Sequence, residues 1–211
     1  MHTVREPRLL SKTLTSLVAT AAVSCSAPTP DEGGPIDPGV RVRECEGPAA
    51  SLPAELAATL EPRSPQGTQD EAWADMARRV PGGFAGVLYD NGQPVLLLTR
   101  PEDAAAAKAA LAPLLSPMLP GFDVAGAEVR QARWDFAQLV DWYAYLQKQN
   151  LWRAGSGVHS GDKSEADNRI VLGVFDADAR ARVSAELDAL GVPCDLVLVK
   201  VKLPIRVLFG G

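Results

Sequence analysis

The sequence predicts an α+β fold: two ββαβ units joined by a central helix, with the helices packed on small antiparallel or mixed sheets. Three observations predict it. Two strand–turn–strand patterns, Phe84 to Thr99 and Val158 to Phe175, are each followed by a helix and one more strand. Val95 to Glu102 and Ile170 to Ala177 share the same order, an apolar strand running straight into an acidic helix start. Between them lies the most clearly periodic helix of the chain, Asp135 to Asn150. Neither unit can bury its apolar face alone, so the helices must cover the sheets.

The elements follow in order. Met1 to Lys12 carries Arg5, Arg8 and Lys12 against one acid, Glu6, and a short apolar run, Leu14 to Val23, leads to Ala22-Val23-Ser24-Cys25. A basic start, a short apolar stretch and small residues before a cleavage point are a secretory signal, here residues 1–24. Cys25 directly after small residues resembles a bacterial lipobox, with Ala22 where Leu is usual. The resemblance implies a diacylglyceryl thioether on Cys25, which becomes the new N-terminus and holds the protein at a membrane. An ordinary signal peptide cut nearby is the alternative. Residues 25–53 then hold Pro28, Pro30, Pro35, Pro38, Pro48 and Pro53 among four glycines. That composition predicts an extended tether rather than a packed core.

The folded part is expected over 54–211. A short helix is predicted from Leu52 to Leu60. A second starts at Thr68, where Thr68 and Glu71 have capping-box spacing, and continues through Trp73, Met76, Ala77 and Val80. Phe84 to Tyr89 and Val95 to Thr99 form a hairpin around Asn91-Gly92, a pair that accepts positive φ. Pro101-Glu102-Asp103 opens an alanine-rich helix ending near Leu115, with Pro113 expected to loosen its last turn. A strand over Ala127 to Arg133 precedes the central helix, whose stripe is Phe136, Leu139, Val140, Tyr143 and Leu146. Val158 to Gly161 and Arg169 to Phe175 make the second hairpin, Asp176 opens a helix with Val183, Leu187 and Leu190 on one face, and Asp195 to Val201 is the last strand.

Composition limits the function. The 211 residues are 46% hydrophobic, with 21 Lys plus Arg against 26 Asp plus Glu, a net charge of −5. This is a globular composition without the basic face that nucleic acid binding requires. No run of about 18 apolar residues is present to span a membrane. Three cysteines occur; with Cys25 acylated, Cys45 and Cys194 remain. Export places them where disulfides persist, and the even remainder favours a Cys45–Cys194 bridge over two free thiols. No CxxC or His/Cys spacing predicts a metal site, and no cofactor motif is present.

Two stretches carry a family resemblance. GGFAGVLYDNGQPVLLLT with its alanine-rich helix is one. RWDFAQLVDWY, followed by NRIVLGVFDADARARVSAELDALGVP and ending at PI, is the other. They resemble a family of secreted bacterial proteins and, loosely, are similar to the pro-regions of alpha-lytic-type trypsin-like serine proteases. The resemblance implies a module that folds or inhibits an exported protease by adding sheet edge to it. It also implies that the protease domain is missing here, since no GDSGG-like segment follows, and no functional residue is carried over.

The reactive residues are few. Downstream of the signal the one histidine is His159, beside Ser160 and Asp162. Neighbours on a strand point to opposite faces, so His159 and Ser160 are not expected to share a proton. The acidic turn Asp162, Glu165, Asp167 lacks the spacing and glycine of a calcium loop. Trp142 and Tyr145 lie off the central helix's stripe and could form a partner-binding patch, with core packing as the alternative. Leu196, Leu198 and Lys200 share one face of the last strand, which at a sheet edge would add to a partner's sheet. The reading is therefore an exported, lipid-anchored, non-enzymatic interaction domain of the cell envelope. A stand-alone inhibitor or folding helper of an exported serine protease, and a hydrolase built on His159, are the alternatives.

Overall fold

The computed structural model describes residues 40–41, 49–60 and 68–202. Two sheets are present among them. One has the order β2-β3-β4, the other β1-β7-β6-β5. The strands β2 (Phe84–Asp90), β3 (Gln93–Leu98) and β4 (Glu128–Gln131) and the helix α3 (Ala104–Leu115) form the first ββαβ unit. The strands β5 (Val158–Ser164), β6 (Arg169–Val174) and β7 (Val197–Val201) and the helix α5 (Ala177–Ala189) form the second. The helix α4 (Phe136–Lys148) joins them, and α1 (Ala54–Ala57) and α2 (Gln69–Arg79) precede them. The α+β fold of two ββαβ units is the architecture observed.

The duplication extends to detail. β2 and β3 pair antiparallel with a bulge between Phe84 and Gly86, and β5 and β6 pair antiparallel with a bulge between Val158 and Ser160. β4 is parallel to β3, and β7 is parallel to β6. Ala132 N donates to Leu98 O beyond the end of β4, and Lys202 N donates to Val174 O beyond the end of β7. Leu98 is thus the counterpart of Val174, and Ala132 of Lys202.

Local signals explain the starts and turns. The Thr68 hydroxyl accepts from Glu71 N at 3.2 Å while Thr68 N donates to the Glu71 carboxylate at 3.0 Å, so both halves of the capping box form. Asp135 and Gln138 make the same reciprocal pair at α4. Asp176 caps α5 through Ala179 N at 2.7 Å. Asn91 and Gly92 both take positive φ, which gives the tight hairpin the right twist. Pro113 lies inside α3 without ending it; the helix reaches Leu115, and Ser116 N still donates to Ala112 O.

The two cores share α4. Phe136, Ala137 and Val140 pack with α2, α3 and the first sheet, where Trp73 meets Phe84 and Phe136 edge to face. Leu139, Trp142, Tyr145 and Leu146 pack with α5 and the second sheet. Burial on two sides explains why one stripe did not describe this helix.

The boundary at residue 54 is also crossed. β1 (Val40–Arg41), from the expected tether, pairs antiparallel with β7. Ala50 O accepts from Trp142 Nε1 at 3.0 Å, and Leu52 is buried in the second core. A Pro/Gly-rich composition prevents a segment from building its own core, but not from adding to an existing one. The signal segment, Cys25 and Cys45 lie outside the described residues.

Candidate functional site

The hairpin tip of the second unit lies against the sheet of the first. Asn168, at φ +49°, takes the left-handed region that Asn tolerates better than most residues. Its Oδ1 accepts from Arg133 N at 2.7 Å and Trp134 N at 2.8 Å, and its Nδ2 donates to Trp134 O at 2.8 Å. A side chain here does the work of a neighbouring strand. Lys163, on β5, points its ammonium at the Tyr143 ring, 4.0 Å from the centroid, and pairs with Asp70 at 2.9 Å. Tyr143 Oη donates to Gly161 O at 3.0 Å.

Glu165 folds onto β2. A methyl group on Gly86 would sit 2.8 Å from Glu165 Cγ, so the glycine makes the space. Burial pushes the Glu165 carboxyl above its ordinary value of 4.5; Asp162 and Asp70 push the same way, and Lys163 and a backbone hydrogen bond oppose. The folded chain therefore holds this proton at pH values where the unfolded chain has lost it. This contribution to stability is full below the unfolded pKa and is lost as pH rises through the folded one. Glu165→Gln is expected to lack that slope. Urea titrations of both proteins from pH 4 to 7 test this, and parallel stability curves would refute it.

The sequence-selected partner residues are placed differently from expectation. Trp142 and Tyr145 are 2% and 6% exposed, packed edge to face with ring centroids 5.8 Å apart, so they are core and not a surface patch. Leu196 and Leu198 are buried at 0% and 4%. β7 is paired with β6 along its length on one side and with β1 at Leu198 and Val199 on the other. Lys200 is half-buried, with its ammonium 3.2 Å from Asp167. Burial alone would raise the Asp167 carboxyl, but the Ser164 hydroxyl and the Lys200 ammonium together bring it below the usual range.

His159 is corrected as well. It occupies the β5 bulge, which brings it and Ser160 to the same partner residue rather than to opposite faces. A methyl on Gly173 would lie 2.2 Å from Ser160 Oγ and 3.0 Å from His159 Cε1. His159 Nε2 lies 2.9 Å from Lys202 O and must donate there, because a carbonyl only accepts. The ring rests on Phe175, centroids 4.8 Å apart. The imidazole is thus oriented by the backbone of the last strand's end.

A cavity of about 750 Å³ opens at the C-terminal ends of β3 and β4, lined by Thr99, Arg100, Gln131, Arg133, Asp135 and Gln138. Three of its polar side chains are engaged in the fold. Arg100 pairs with Asp103 at 3.1 Å, Asp135 caps α4, and Gln138 Nε2 donates to Ser51 Oγ at 3.2 Å. Burial raises the Asp135 carboxyl, against the pull of the Gln138 and Ala137 N–H groups. Among the described residues no group of three His, Cys, Asp or Glu side chains is placed to hold a metal ion. No helix among them is long and apolar enough to cross a membrane.

β2, β4 and β5 each have a sheet partner on one side only among the described residues. β4 pairs with β3 on one side, and among the described residues no strand pairs with the other. No protein-family model, curated protein or solved structure matches the chain.

Sequence reasoning missed Asn168 and the β4 edge. An Asn just before an apolar strand and after an acidic turn was the available signal for the first. The second needed the registers.

Proposed function

We propose that the chain is an exported domain, anchored in the cell envelope by a lipid on Cys25, that acts through contacts with proteins rather than by transforming a substrate. The observation that supports export is the pair of cysteines that remains once Cys25 is acylated, Cys45 and Cys194. In sequence, Cys45 follows β1 by four residues and Cys194 precedes β7 by three, and β1 pairs antiparallel with β7 through Val40 on Val199 and Arg41 on Leu198. A Cys45–Cys194 bridge would persist only in an oxidising compartment.

The test is mass spectrometry of the chain recovered from its native envelope. The expected N-terminus is a diacylglyceryl-modified Cys25. The expected non-reducing peptide map links Cys45 to Cys194. An intact Met1, or free thiols on both cysteines, would overturn the proposal.

A further inference from the structure

The duplication shows what an uncovered edge of this fold accepts. Because Ala132 and Lys202 donate inward to the neighbouring strand, even-numbered residues of β4 and β7 pair inward, and odd-numbered residues turn their N–H and C=O groups outward. Ala132 corresponds to Lys202, so Val129 corresponds to Val199 and Glu128 to Leu198. In the second unit the outward groups of Val199 face β1, with Val40 opposite Val199 and Arg41 opposite Leu198. In the first unit the same position, Val129, faces no strand among the described residues.

β4 itself carries the dipeptide that fills the other edge. β1 reads Val40-Arg41, and β4 reads Glu128-Val129-Arg130-Gln131. Laid antiparallel on a second copy with Val129 opposite Val129, β4 places Arg130 opposite Glu128. That reproduces the Val40 and Arg41 register on β7 residue for residue. It is also complementary in charge. Each Glu128 meets the other chain's Arg130, joining the ion pairs already formed within one chain, where Arg130 lies 2.6 Å from Glu128 and 2.7 Å from Asp90. Opposite charges directly across a strand pair stabilise it, and like charges oppose it.

The surroundings leave the edge accessible. Lys108 donates to Ala125 O at 2.9 Å and to Ala127 O at 2.7 Å, so it caps the outward carbonyl just before β4, while among the described residues no strand faces the outward groups of Val129 and Gln131. The neighbours of Lys108 one helical turn away on that side of α3 are Ala105 and Ala112, both exposed and too short to fend off a strand.

We propose that β4 pairs antiparallel with β4 of a second copy of this chain, Val129 on Val129 and Glu128 on Arg130, joining two three-stranded sheets into one. The inference rests on the reading of the chain as an interaction domain and names its first partner.

The experiment is sedimentation equilibrium of the full chain in mild detergent. The wild type is expected to dimerise. Glu128→Arg alone sets Arg against Arg130, and Arg130→Glu alone sets Glu against Glu128. Each is expected to weaken the dimer about tenfold or more. An equimolar mixture of the two variants restores both ion pairs and is expected to recover the dimer. Val129→Pro, which deletes an outward N–H and leaves the pairing with β3, is expected to be monomeric. Exchange at the Val129 and Gln131 amides is expected to slow with rising protein concentration. A wild type monomeric throughout, single variants that dimerise like the wild type, or a mixture that recovers nothing would each overturn the proposal. Slow exchange at these amides caused by a different protein would overturn the second copy as occupant while leaving the interaction domain standing.

Discussion

Trp142→Ala is expected to lower stability by about 3–5 kcal/mol, the range for truncating a buried aromatic. The indole is 2% exposed, stacks edge to face on Tyr145, and donates through Nε1 to Ala50 O. Removing it opens a void in the second core and cuts one of the hydrogen bonds holding residues 49–52 against α4. The loss should appear as a lower urea midpoint with the slope nearly unchanged, since the unfolded surface is similar. A surface binding residue behaves differently, because such substitutions usually change stability by less than about 0.5 kcal/mol. A stability within that margin of wild type would return Trp142 to the surface. Leu52 is buried in the same core. Leu52→Ala is therefore expected to be less additive with Trp142→Ala than a distant substitution would be.

The outcome at Trp142 also shows where the sequence was readable. Signals that act within a few residues were legible. Thr68 with Glu71 predicted the start of α2, Asn91-Gly92 predicted the first hairpin, and the repeated order of apolar strand and acidic helix start predicted the duplication. Periodicity reports which side of an element is apolar. It does not report how many neighbours that element has. α4 serves two cores, so Trp142 and Tyr145, off the main stripe, are as buried as the residues on it. β7 looked like a last strand and therefore an edge. Its second partner, Val40–Arg41, comes from more than a hundred residues earlier, in a segment whose prolines and glycines signalled a tether. The β5 bulge was hidden for a similar reason. Alternation along Val158-His159-Ser160 assumes a regular ladder, and the extra residue that breaks it is set by pairing with Gly173, across the hairpin. The β4 edge became visible only when the two registers could be compared.

Asn168→Ala is the second large effect expected, about 3 kcal/mol or more. The substitution leaves Arg133 N and Trp134 N without their acceptor and Trp134 O without its donor. A fully buried group left unpaired costs about 1–3 kcal/mol, and these part-buried groups lie toward the lower end of that range. Alanine at φ +49° keeps the Cβ crowding that asparagine also bears and loses the local side-chain hydrogen bonding that lets asparagine occupy this region. Asn168→Gly separates the two causes. Glycine keeps the backbone and removes only the amide, so it is expected to be destabilised, but by about 1 kcal/mol less than alanine. Asn168→Asp keeps the acceptor for both N–H groups and sets a carboxylate oxygen against Trp134 O, so it should be destabilised as well. A glycine variant as stable as wild type would show that the amide carries nothing. The shape of the transition is informative too. Asn168 clasps the second unit's hairpin to the first unit's exit strand, but α4 contributes side chains to both cores. If the shared helix is what couples the units, every variant unfolds in one transition at lower urea. Two separated transitions in Asn168→Ala would instead assign the coupling to the clasp, and would make the hairpin tip the point at which the duplicated halves became one domain.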